Sequence, residues 1–198
     1  MKYIMYLKTI HNYIHLFKFS LDKNKLIDSS EKIYELVKNN LHTNQQIKST
    51  ISTDLYEKYN YLMYPSNEVH KLYTEIKTAF DSVKDDPNKK YYIQCWLNYY
   101  KKDDFIDWHC HWEKEAETWH GFYCLDCEPS FTSYKLPNIR DNINIYSEDN
   151  LMVISKSNGD EHRTWPWESD KPRLTIAFDI VPSDYINYKQ WTNHWMPI

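Results

Sequence analysis

The spacing of apolar residues changes character near residue 91. Before that point the pattern is mostly helical. Asp28-Ser-Ser-Glu31 reads as a capping box that opens a helix running to about Asn39, with Ile33, Leu36 and Val37 as its apolar stripe. Ser66 is a suitable N-cap for a second helix, in which Val69, Leu72, Tyr73, Ile76, Phe80 and Val83 recur at helical intervals. A short strand is predicted over 12–20, with Tyr13, His15, Phe17 and Phe19 on one face, while 42–62 fits neither period. Asp85 to Lys90 is a polar breaker. Beyond it the chain turns β-prone, with strands predicted at Tyr91–Tyr100, Gly121–Leu125, Ile143–Tyr146, Leu151–Ser155 and Arg173–Val181. Helices followed by a run of strands imply an α+β fold rather than alternating βαβ units. The expected architecture is a double-stranded β-helix (jelly-roll) core over 91–182. Residues 1–90 would support it and 183–198 would form a C-terminal tail, the whole being one domain over 1–198.

Composition narrows the function classes. The chain has 198 residues, 41% hydrophobic and 17% aromatic, which is enough for a core built largely from Tyr, Trp and Phe. No apolar run is long enough to cross a bilayer. Met1 to Phe19 is interrupted by Lys8, His11, Asn12 and His15, so no signal peptide is read and a cytoplasmic location is expected. The formal charge of -4 argues against nucleic acid as the main partner. Heavy use of Lys, Asn, Ile and Tyr suggests an AT-rich coding sequence such as a viral one, which would place the protein in a host cytoplasm. Arg occurs only at 140, 163 and 173, so each Arg is informative, because its planar fork does what Lys cannot. Gly121 and Gly159 are the only glycines and are expected where the backbone requires them.

The chemistry-bearing segment is Asp107-Trp-His109-Cys-His111-Trp-Glu113. On a strand, Asp107, His109, His111 and Glu113 would share one face, with Trp108 and Trp112 on the other. The ordinary alternative is a solvated edge-strand face. A second histidine weighs against it: an apolar strand runs into Gly159, His162 follows the turn, and Lys171-Pro-Arg173-Leu-Thr175 opens another strand with an arginine.

A close His pair, a distant His and an Arg eleven residues beyond it resemble the 2-oxoglutarate and iron(II) dioxygenase superfamily, over roughly Gln94 to Val181. Asn98-Tyr-Tyr100 looks like the N-x-Y motif of its alkylation-repair branch, and His120-Gly-Phe-Tyr-Cys looks like the strand after the metal pair in phage-type members, which commonly carry H-x-H. The resemblance implies an iron(II) site held by His109, His111 and His162. It also implies a 2-oxoglutarate site at Asn98, Tyr100, Arg173 and Thr175, with Arg173 gripping the far carboxylate. The implied reaction couples oxidative decarboxylation of the cosubstrate to hydroxylation of a protein side chain or small metabolite. His111 stands where the family usually has Asp or Glu, whose carboxylate offsets part of the metal's charge. Either His109 and His111 ligate, or His111 and Glu113 form a regular H-x-E pair. The spacing from Asn98 and Tyr100 favours the former.

Other signals carry less. Cys124-x-x-Cys127 lacks a second close pair for structural zinc and reads as two buried thiols. Cys110 should point away from its histidine neighbours. His120 reads as structural, with a spare ligand or an active-site donor as the alternatives. Trp165, Trp167 and Tyr123 are candidate walls of the site or plain core, and Trp191, Trp195 and His194 should cover the core or make a contact with another subunit. Two readings compete: a three-histidine cupin-like dioxygenase that does not use 2-oxoglutarate, and a jelly-roll module whose metal is structural.

Overall fold

The computed structural model describes residues 5–40, 51–111, 117–157, 160–186 and 194–198. Ten strands and three α-helices follow in the order β1 (Met5–Ile10), β2 (Ile14–Lys18), α1 (Lys23–Asn40), α2 (Ile51–Asp54), α3 (Asn67–Asp81), β3 (Tyr91–Tyr100), β4 (Trp119–Asp126), β5 (Phe131–Lys135), β6 (Ile143–Tyr146), β7 (Leu151–Lys156), β8 (Glu161–Thr164), β9 (Arg173–Pro182) and β10 (Met196–Pro197). A seven-stranded sheet has the order β1-β2-β7-β4-β9-β3-β10, and a three-stranded sheet has the order β6-β5-β8. All pairings are antiparallel. The result is mostly antiparallel sheet with few helices. No helix among the described residues is long and apolar enough to cross a membrane.

Strand alternation gives the large sheet two different faces. Ile93, Cys95 and Leu97 of β3, with Leu174, Ile176, Phe178 and Ile180 of β9, pack with Leu26, Ile33 and Val37 of α1 and Val69, Leu72, Ile76 and Phe80 of α3. The opposite face meets the small sheet through Leu16, Trp96, Phe122, Val153 and Ala177, packed with Tyr134 and Ile145. Both faces of the central strands are therefore buried, which is why β9 is buried along its whole length.

The prediction over 12–20 becomes a hairpin: β1 pairs with β2 around a turn in which His11 and Asn12 take left-handed φ angles. Helix α1 starts five residues before the expected capping box. Asp22 caps it instead, its Oδ1 accepting from the Lys25 amide at 3.3 Å. Ser29 and Ser30 are then interior, Ser29 back-bonding to the Lys25 carbonyl and Ser30 meeting the Tyr61 hydroxyl. Leu36 is exposed, and Tyr34 takes its place in the buried stripe. β5 and β8 were not expected. The tail adds β10 to the edge of β3, and the His194 carbonyl accepts from Asn60 at 2.6 Å; Trp191 lies outside the described residues.

Gly121 stands where no side chain fits. A Cβ there would sit 2.2 Å from the Val153 carbonyl and 2.5 Å from the Phe178 ring. Because one obstacle is backbone, the sheet itself would have to shift. Gly121→Ala should cost roughly 3 kcal/mol, at the upper end of ordinary overpacking. That corresponds to a melting temperature lower by roughly 6–12 °C in a chain of this size, and calorimetry checks it.

Candidate metal centre

The inner face of β9 carries, at alternate positions, Arg173, Thr175, Ala177 and Asp179. Facing them in register on β3 are Tyr100, Asn98, Trp96 and Gln94. His120 of β4 lies opposite Asp179 on the other side. One end of this face is thus set with Asp179 and His120, and the other with Arg173, Thr175, Asn98 and Tyr100.

Three histidines converge over the Asp179 end. The ligand nitrogens of His109, His111 and His162 all lie within 4.8 Å of one another. Over the described part of 107–113, residues 107–111, the predicted strand does not form. His109 instead makes an isolated antiparallel bridge to His162, each amide donating to the other's carbonyl at 3.1 and 2.9 Å. That bridge, rather than strand alternation, holds the segment against β8. Asp107 is exposed and takes no place beside the histidines, and Cys110 points out between them. Glu113, Trp112 and Gly159 lie outside the described residues.

Two of the imidazoles have their tautomers fixed. His109 Nδ1 donates to the Asp107 carbonyl at 2.7 Å and His111 Nδ1 donates to Asp179 Oδ1 at 2.5 Å, since neither oxygen can do anything but accept. In its neutral form each ring then keeps a bare Nε2 for a metal. His162 leaves a buried Nδ1 with no hydrogen-bond partner. Burial, reinforced by His111, pushes His109 down to about 4. Burial and the neighbouring His120, His109 and His111 hold His162 well below its ordinary value. Both rings are thus neutral at physiological pH, as ligation requires. Burial would also depress His111, but the adjoining Asp179 carboxylate carries it above its ordinary value. A buried unpartnered ring nitrogen and two oriented Nε2 lone pairs fit a divalent transition metal.

His120 is not a bland core histidine. Its Nε2 donates to Asp160 Oδ2 at 2.8 Å, both residues are buried, and its ring stacks on His162 with centroids 4.6 Å apart. His120, Asp160 and His162 form a second compact set of potential ligands. The direct His120–Asp160 bond already occupies one atom of each, so the pair reads as a buttress behind His162. Sequence reasoning missed Asp160 and Asp179. It also missed two aromatic walls, Trp96 stacked 6.0 Å from His111 and Tyr134 stacked 5.3 Å from His162. Tyr123 is not a wall: it faces the helices and donates to Asn150 Oδ1. Trp165 lies under the Arg163 guanidinium, 3.8 Å away, and its Nε1 donates to Ser133. Trp167 is buried and donates to the Lys171 carbonyl at 2.5 Å.

At the other end, Arg173 is 2% exposed, yet its Nε has no hydrogen-bond partner and its guanidinium joins no ion pair among the described residues. It lies 4.7 Å over the Tyr100 ring. The Tyr100 hydroxyl is within hydrogen-bonding reach of Thr164 and Thr175. Asn98 donates to Thr175 Oγ1 at 3.2 Å and accepts from Thr53 of α2 at 2.6 Å. A buried cation without an anion is costly, and a carboxylate ligand would satisfy it. Thr164 is the next inward residue after His162 on β8 and lies within reach of the Tyr100 hydroxyl, so β8 runs from the histidines toward the arginine pocket. Cys124 and Cys127 are buried beside the pocket. Their mutual hydrogen bond lowers Cys124 and raises Cys127, with Arg173 adding to the first effect.

No family model matches the sequence, and no curated protein sequence matches it. Solved structures do. The chain is similar to a prolyl hydroxylase from Trichoplax adhaerens, described in complex with a hypoxia inducible factor oxygen degradation domain peptide fragment. The two are 11% identical over 88% of this chain and 86% of that one, with a TM-score of 0.64. It is similar to AviO1 from Streptomyces viridochromogenes, at 12% identity over 88% and 92% of the two chains and a TM-score of 0.63. It is also similar to SnoN, a non-haem alpha-ketoglutarate-dependent epimerase from nogalamycin biosynthesis, at 10% identity over 85% and 78% and a TM-score of 0.59. At these identities the likeness establishes a shared fold.

Proposed function

We propose that the protein is an iron(II)- and 2-oxoglutarate-dependent oxygenase that hydroxylates a protein side chain or a small metabolite, on a double-stranded β-helix core. The single observation that carries this reading is the pairing, on one enclosed face, of three convergent imidazoles with a buried, unpaired arginine. SnoN has been described in complex with Fe3+ and alpha ketoglutarate, and two of the similar structures are prolyl hydroxylases. The reading carries that chemistry to this fold. His109, His111 and His162 would hold the metal, and Arg173 would hold the far carboxylate of 2-oxoglutarate by a bidentate pair. Thr175 would add a hydroxyl, oriented by Asn98, and Tyr100 would wall the pocket with its ring. Burial pushes the Tyr100 phenol up, so it stays a neutral donor. Iron(II) would activate O2, the oxidant, and 2-oxoglutarate would give up two electrons as it loses carbon dioxide, so that one oxygen atom would enter the substrate C–H bond and the other succinate. The chain's own task is positioning and exclusion of water, for which Trp96, Phe122 and Tyr134 provide an apolar lining.

Anaerobic addition of iron(II) and then 2-oxoglutarate should produce a weak visible charge-transfer band. In air the protein should release succinate slowly even without its prime substrate, measured by NMR against a metal-free control. Oxygen consumption by the iron-loaded protein that does not depend on 2-oxoglutarate would favour the three-histidine dioxygenase. The absence of the band, of succinate and of oxygen consumption would leave a metal-binding module.

A further inference from the structure

Three imidazoles are neutral ligands, so a site built from His109, His111 and His162 places no anion on a doubly charged metal. Coulomb energies are large in a buried pocket, and an uncompensated dication there is held weakly. The structure nevertheless has a carboxylate one hydrogen bond away. Asp179 Oδ1 receives the Nδ1 proton of His111 at 2.5 Å, and Asp179 is 6% exposed. This contact aims His111 Nε2 away from β9 and makes the imidazole a stronger donor, because the carboxylate shares the charge that ligation draws from the ring. Asp179 lies on the same inward register as Thr175 and Arg173, so one strand carries both the arginine pocket and the anion. A packing role alone would not require a charge at a position enclosed between two sheets. A second buried carboxylate–imidazole pair, Asp160–His120, lies behind His162.

We propose that Asp179, acting through His111, supplies to the metal the negative charge that a directly coordinating carboxylate would otherwise provide. It is a positioning residue that does not itself touch the metal. The inference rests on the oxygenase reading only in so far as that reading requires a metal at His109, His111 and His162.

The test separates charge from geometry. In Asp179→Asn the side-chain oxygen still accepts the His111 proton, but the charge is gone. Iron(II) affinity should be measured anaerobically by competition with a chelator, and the d–d spectrum of the cobalt(II)-loaded protein recorded in parallel. Circular dichroism of the metal-free variant reports folding. Asp179→Asn should raise the iron(II) Kd by roughly 10–100-fold, the usual effect of losing a hydrogen-bonded partner of a ligand, and should shift the cobalt(II) bands. Asp179→Glu should recover much of the affinity. A folded Asn variant with wild-type affinity and spectrum overturns the proposal and leaves Asp179 as a structural bond. Should Asp179→Asn not fold, Asp179→Glu decides. Retention of the metal supports the role of charge, and a folded Glu variant that has lost the metal overturns it. Failure of the wild-type protein to bind iron(II) or cobalt(II) would instead sink the oxygenase reading itself.

Discussion

Arg173→Lys is expected to weaken 2-oxoglutarate binding by about 2–3 kcal/mol while leaving iron(II) affinity close to that of the wild type. The magnitude follows from the strength of hydrogen bonds to charged groups. The direction follows from geometry. Arg173 is buried with an unpartnered Nε, stacked over the Tyr100 ring. A lysine ammonium preserves the charge but presents no planar fork, and it would have to desolvate a compact, strongly hydrated cation in the same place. The proposed metal ligands lie on other elements, β8 and the segment before β4, so their own arrangement should not depend on the arginine. Calorimetric titration of the iron-loaded variant with 2-oxoglutarate is the measurement. An unchanged affinity would remove the cosubstrate from the proposal and favour a three-histidine dioxygenase that works without it.

The strands of this fold that are legible in the sequence are those built by apolar alternation. β3 and β6 have the predicted bounds, while β7 and β9 each run one residue further. β8 was invisible because it is only Glu161-His-Arg-Thr164, and its inward positions are His162 and Thr164 rather than aliphatics. A strand whose buried face is given over to the site loses the periodicity by which strands are recognised. β5 escaped for a related reason: Thr132 and Ser133 are buried by pairing and hydrogen bonding, with no run of aliphatic side chains. At the site, His109 and His111 do converge, but the reason given by strand alternation was wrong, since a single bridge to His162 brings them in. Asp179 did leave a signal that went unread. An aspartate between Phe178 and Ile180, on the register of Arg173 and Thr175, is a charge on the inward face of a strand buried on both sides. Asp160 left none, because Gly-Asp-Glu-His reads as an ordinary polar turn.

The largest effect expected from any single change is loss of the metal on removing a triad histidine. His109→Ala, His111→Ala and His162→Ala should each leave, after dialysis, no more iron than a metal-free control by elemental analysis. A facial site reduced to two ligands holds iron(II) poorly, and the loss should exceed the roughly 10–100-fold cost of disturbing an outer partner. Two further variants locate the site. Glu113→Ala should leave metal content nearly intact if His109 and His111 are the pair. If Glu113→Ala empties the site and His109→Ala does not, the ligands are His111, Glu113 and His162. His120→Ala tests the neighbouring set formed with Asp160 and His162, whose atoms are as closely grouped. It should lower affinity only through the lost stacking on His162, because His120 Nε2 and Asp160 Oδ2 are already bonded to each other at 2.8 Å. An empty site in His120→Ala alongside a full one in His109→Ala would move the metal to that buried set. It would then carry Asp160 as a direct anionic ligand, and His111 with Asp179 would be left as a strut between the irregular segment and β9.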